Sequence, residues 1–177
     1  MRLLSLLASL LTLGAALTLA ACAPMNGTTA SQGGSQVATP TQTQQFMTAV
    51  EAKRGSALTL AEKVQLQGLT GAARLGMDNA QGAFLDKVGA QVGLNGAVLA
   101  ALFPEAGKPV SQSAAVQRVQ SKLGKPLSSA DAAAVKAATA LRNNSVDSLK
   151  TSLAGSIGAR LGMDSQVVLA LMPMLGF

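Results

Sequence analysis

The chain carries the string VGAQVGLNGAVLAALFP at Val88–Pro104 and, 69 residues later with no gap, IGARLGMDSQVVLALMP at Ile157–Pro173. Glycines fall on glycines, the closing prolines coincide, and the apolar positions between them match in kind. The register holds upstream. LTLAE (Leu58–Glu62) lies over LSSAD (Leu127–Asp131), and VEAKRG (Val50–Gly55) over VQSKLG (Val119–Gly124). Chance likeness between Ala-rich stretches would not keep Gly and Pro in step. The reading is therefore a duplicated unit of about 64 residues, spanning about 41–104 and 110–173. Two copies are too few for an open solenoid, and one pseudo-symmetric globule or bundle is expected.

Each unit reads as helical. Val146, Leu149, Leu153, Ile157 and Leu161 recur at steps of three and four, and so do Phe84, Val88 and Val92. That spacing lays a stripe along one face of a helix. Thr59–Glu62 and Ser128–Asp131 fit the pattern of a hydroxyl N-cap with an acid three residues on, which satisfies orphan amides at the positive end of a helix. No alternating β-branched run suggests a sheet. The expectation is an all-α fold with four helices per unit, at 43–54, 60–75, 79–92 and 96–103, and counterparts 69 residues later.

Within these units the string RLGMD occurs twice, at Arg74–Asp78 and Arg160–Asp164, with QVGLN at Gln91–Asn95 as a looser copy. Such a motif reads as a helix–corner–helix joint. Gly76, Gly93 and Gly162 would end helices in the left-handed conformation. Asp78, Asn95 and Asp164 would cap the helices that follow, at about 1 kcal/mol each. By the same offset a degenerate fourth copy falls at LRNNSVD (Leu141–Asp147). Arg and Asp thus have structural duties, and the string does not define a charged active site.

Composition narrows the chemistry. The chain has no His, Trp or Tyr, and four Phe. Without His, the usual general base and the commonest metal ligand are missing. Without aromatic platforms, stacking on sugars or bases has little to use. No nucleophile elbow, phosphate loop, calcium loop or Cys/His cluster is present. No catalytic residue, metal ligand or cofactor is therefore assigned, and nucleic acid is not among the expected partners.

The N-terminus decides the address. Residues 1–21 have one charge, Arg2, then an unbroken run of Leu, Ala, Ser, Thr and Gly that ends at Ala20–Ala21. Next comes Cys22, the only cysteine of the chain. The order is that of a cleaved signal peptide. LAAC (Leu19–Cys22) resembles the lipobox of bacterial lipoproteins. The resemblance implies acylation of the Cys22 thiol, cleavage before it, and anchoring through chains that contribute about 0.8 kcal/mol per buried methylene. By resemblance to the sorting rule of enteric bacteria, Ala23 in place of Asp implies the outer membrane, facing the periplasm. Residues 22–44 are Gly-, Ser-, Thr- and Gln-rich and uncharged, a flexible tether by composition. The helical domain is then 45–177. Beyond residue 21 there are 13 basic and 8 acidic residues, a formal +5, which suits an anionic envelope.

Two apolar stretches remain. Val88–Pro104 carries no charge over 17 residues, and Ser165–Phe177 none over 13. Both are shorter than the roughly 20 residues of a membrane span. They read as buried helices or, in a sharper form, as hairpins that touch lipid. The functional expectation is a lipid-anchored envelope protein acting as a non-enzymatic binding or structural module. Its partners would be the membrane through Cys22 and an envelope protein or a second copy. The alternative is a carrier or membrane-active module that binds lipid or another apolar ligand.

Overall fold

The computed structural model describes residues 40–177, and every structural statement below concerns those residues. Cys22, the expected signal segment and the expected tether up to residue 39 lie outside them. About 80% of the described chain is helical and none of it is strand. The elements are α1 (Pro40–Arg54), α2 (Leu60–Val92), α3 (Gly96–Leu102), α4 (Gln112–Leu123), α5 (Ser129–Leu161) and α6 (Ser165–Leu171), followed by a 3₁₀ helix, Met172–Leu175.

Six helices stand where eight were expected. The expected break at 75–79 does not exist, and α2 runs through it for 33 residues. In the same way α5 runs 33 residues through Leu141–Asp147. The first helix also starts earlier than expected, at Pro40 rather than 43, so the end of the expected tether is helical. Packing holds it there: Gln42 lies against Gly176, and Phe46 and Met47 share a core with Met172 and Leu175.

The starts of the long helices follow the capping rule. Glu62 N–H donates to the Thr59 hydroxyl at 3.2 Å, and Thr59 N–H donates back to the Glu62 carboxylate at 2.7 Å. At α5, Asp131 N–H donates to the Ser128 hydroxyl at 3.1 Å. The backbone amide of Thr59 is the main reason the Glu62 carboxyl ionises below its ordinary range.

The long helices run antiparallel. Arg160 of α5 donates to Gln65 of α2 at 3.2 Å near one end, and Gln91 of α2 donates to Asp131 of α5 at 2.6 Å near the other. Two cores form along the pair. One gathers Phe46 and Val50 of α1, Leu66 of α2, Ile157 and Leu161 of α5, Val168 of α6 and Leu175. The other gathers Phe84 and Val88 of α2, Leu99 of α3, Phe103, Val119 of α4 and Val135 of α5. Each core takes the first half of one long helix and the second half of the other. Residues 40–106 alone would leave both cores half built. Removing half a core forfeits about 25 cal/mol per Å² of apolar surface that would otherwise be buried.

The expected outcome is that fragments 40–106 and 107–177, produced separately, each show less than about half the helical circular dichroism of the intact chain, since isolated helices are marginal in water. Mixing them should restore the signal; full helicity in either fragment alone would refute the shared-core account.

Candidate functional site

The joint residues divide into two groups. Gly93 ends α2 at φ 72° and Gly162 ends α5 at φ 65°. Asn95 then caps α3, accepting from Val98 N–H at 2.9 Å, and Asp164 caps α6, accepting from Gln166 N–H at 2.7 Å. Gly76 and Asp78 form no joint. They sit inside α2, with Met77 between them buried.

The difference lies four residues upstream of the turning glycine. At each real corner the chain folds back so closely that a Cβ on Gly89 would lie 2.8 Å from the Leu94 carbonyl oxygen, and one on Gly158 2.8 Å from that of Met163. Only glycine leaves room. Upstream of Gly76 the corresponding residue is Ala72, whose methyl would block the return. The GxxxG spacing is therefore the signal for a corner, and RLGMD alone is not. Gly76 serves the helix pair instead. A Cβ there would meet Leu149 of α5 at 2.9 Å, so its absence lets the long helices approach. Gly158→Ala should destabilise the protein by about 1–3 kcal/mol, because a backbone atom cannot yield. Gly76→Ala should cost less, as the Leu149 side chain can turn aside. Urea unfolding followed by circular dichroism measures both.

Midway along the pair lies a buried polar cluster that sequence reasoning missed. Arg142 is 2% exposed. Its Nε donates to Gln81 of α2, its Nη1 to the Lys108 carbonyl at 2.9 Å, and its Nη2 to the carbonyls of Glu105 and Ala106. Gln81 donates in turn to the Phe103 carbonyl at 2.7 Å. Asn143 closes the set, donating to the Val110 carbonyl at 2.8 Å and accepting from its N–H at 3.2 Å. Burial pushes the Arg142 pKa down, yet guanidinium keeps its charge in proteins. Its charge is spread over carbonyl dipoles, with no carboxylate among its hydrogen-bond partners. This cluster fixes the segment 103–110 that joins α3 to α4.

Arg74 plays a matching part from α2. It donates to the Leu175 carbonyl, and its guanidinium stands 4.9 Å from the centre of the Phe177 ring. Of the stretch Ser165–Phe177, Val168, Met172 and Leu175 are buried, and Met174 is exposed. No described helix is long and apolar enough to cross a membrane.

The most exposed large apolar side chain of the described residues is Leu60, at 79%, and Val64 one turn on is at 59%. Both open onto a groove of about 670 Å³ between α1 and α2, walled by Met47, Thr48, Gln67 and Gly71. The groove exists because α1 makes its close backbone approaches to α6 and the 3₁₀ helix instead of to α2. Lys63 and Glu51 pair across it at 3.2 Å. Chemically it offers apolar contact, hydroxyls and amides. No group of three His, Cys, Asp or Glu that could hold a metal ion occurs among the described residues.

Arg142→Met should cost about 3 kcal/mol or more, since it strands several buried carbonyls. Arg142→Lys should recover little of this, because an ammonium cannot span the same fork. Thermal melting by circular dichroism tests both, and equal melting of Arg142→Lys and the parent would refute the fork.

No family model, no curated protein and no solved structure matches this chain.

Proposed function

We propose that this chain is an envelope lipoprotein, acylated at Cys22 and held in the outer membrane facing the periplasm, whose duplicated helical domain is a non-enzymatic binding module. The α1–α2 groove would be its binding face. The anchor rests on the lipobox resemblance of Leu19–Cys22.

Several coincidences favour the duplication. The bounds of α2 and α5 differ by 69 at both ends, as do those of α3 and α6. The arginine contacts also run in parallel, though from positions one residue out of register. Arg142 of the second unit holds the carbonyl of Ala106, two residues past the end of the first, and Arg74 of the first holds that of Leu175, two residues past the end of the second and 69 beyond Ala106.

The observation that carries the binding reading is where the two units differ. In the second unit α4 makes close backbone approaches to α5, as α1 does not to α2, although each pair shares a core through its side chains. Where Leu60 and Val64 stand in the first, the second has Ser129 and Ala133. Exposed Leu and Val beside an open groove favour a partner, whereas scattered apolar side chains do not need one. The groove lacks a nucleophile paired with a base, which favours recognition over catalysis.

The test is a photo-reactive amino acid at Val64 of the full-length chain in its own cells. A discrete light-dependent protein adduct, absent when the probe is moved to Ala133, is the expected result. No adduct, together with lipid-range extra mass on the Cys22→Ser mature chain in native mass spectrometry, would replace this reading with the lipid-carrier alternative.

A further inference from the structure

We propose that the exposed face of α4 bearing Arg118 and Lys122, continued by Lys125, lies against an anionic phospholipid surface. This rests on the membrane address proposed above and names what that address presents to the domain.

The excess positive charge of the domain lies in the second half of its sequence. Residues 40–106 hold five basic and five acidic residues, whereas 107–177 hold eight basic and three acidic, the whole excess of +5. The cations of the first stretch are largely engaged. Arg54 pairs with Glu62 at 2.7 Å, Lys63 with Glu51 at 3.2 Å, and Arg74 turns in to the Leu175 carbonyl. On α4 the pattern reverses. No acidic residue occurs from Gln112 to Lys125, and none of the ion pairs among the described residues includes Arg118, Lys122 or Lys125.

The geometry presents these charges outward. Arg118 and Lys122, one turn apart, flank a shallow depression with Leu102, Gln117 and Ser121. Arg118 is braced by the Leu102 carbonyl at 3.1 Å and lies 5.6 Å from the Phe103 ring centre. Gly124, at φ 66°, ends the helix just before Lys125. The nearby acid, Asp131, attracts Lys125 but forms no ion pair with it, and its carboxylate is held chiefly by Gln91 at 2.6 Å and Ser128 at 2.7 Å. Cations left unpaired beside a membrane meet a negative surface potential that attracts each of them. No large apolar side chain tops this face, so the contact is with headgroups and does not insert. Acylation at Cys22, as proposed above, would put the anchor only 18 residues from Pro40 along the chain. An anchor that close raises the effective concentration of the surface, and individually weak charge contacts then suffice.

The experiment uses the Cys22→Ser mature chain, which carries no acyl group, so that binding reports the domain. It is sedimented with vesicles of phosphatidylglycerol and phosphatidylcholine, and with phosphatidylcholine alone, at low ionic strength. Lys122→Gln/Lys125→Gln should bind the anionic vesicles about 25-fold more weakly, at about fivefold per residue, while Lys53→Gln/Lys87→Gln stays within about twofold of the parent. Raising salt to about 0.5 M should release the parent. Both lysines of the α4 variant are exposed, and unchanged circular dichroism would show that the fold survives. The proposal is overturned by equal binding of the α4 variant and the parent, by equal binding to neutral vesicles, or by binding to a soluble polyanion but not to vesicles. Incorporation of labelled palmitate into the unaltered full chain reports the anchor separately.

Discussion

The antiparallel contact of α2 with α5 is the constraint on which the other packing depends. They come close at Gly76 and Leu149, and neither helix has a core of its own to fall back on. Each supplies one half to the core around Phe46 and Ile157 and the other half to the core around Phe84 and Val135. The short helices then take positions that follow from this. α6 closes the first core and α3 the second, each after a corner that only glycine at 89 or 158 permits. A slip of one long helix along the other would open both cores at once, so the register is set by the sum of two burials.

The polar groups at the middle of this pair fit that arrangement. A charged side chain buried without hydrogen bonds is expensive, and Arg142 is tolerated because the segment 103–110 turns several carbonyls toward it. The backbone of that segment would otherwise present unpaired acceptors inside the molecule. Charge and connection therefore solve each other's problem. Arg74 holds the last residues of the chain in a comparable way, with the Leu175 carbonyl as its acceptor and the Phe177 ring beside its guanidinium.

Local signals were legible in the sequence, and those that depend on what lies opposite were not. The hydroxyl–acid pairs at Thr59 and Ser128 and the caps at Asn95 and Asp164 need only a few neighbouring residues, and the structure places each at a helix start. The same pentapeptide gave a corner at Gly162 and none at Gly76 because the outcome turns on Ala72 against Gly158, outside the repeated string. By sequence Arg142 is only one residue of a degenerate corner; its burial depends on α2 and on the segment after α3. The exposure of Leu60 and Val64 likewise depends on how far α1 stands from α2, which no periodicity within α2 encodes.

The two units, on the duplication proposed here, have kept their corners and their cores while their outer faces have diverged. The first is nearly neutral, with five basic and four acidic residues, and leaves an apolar groove beside Leu60 and Val64. The second closes the corresponding space by packing α4 on α5, and carries its unpaired cations outside. Because each core uses both units, neither face can be lost without the scaffold of the other. A duplicated domain of this kind lets one copy change its surface while the other copy continues to complete the fold. On this view the basic face would turn to the membrane and leave the groove open to a protein partner, two roles that the shared cores keep on one scaffold.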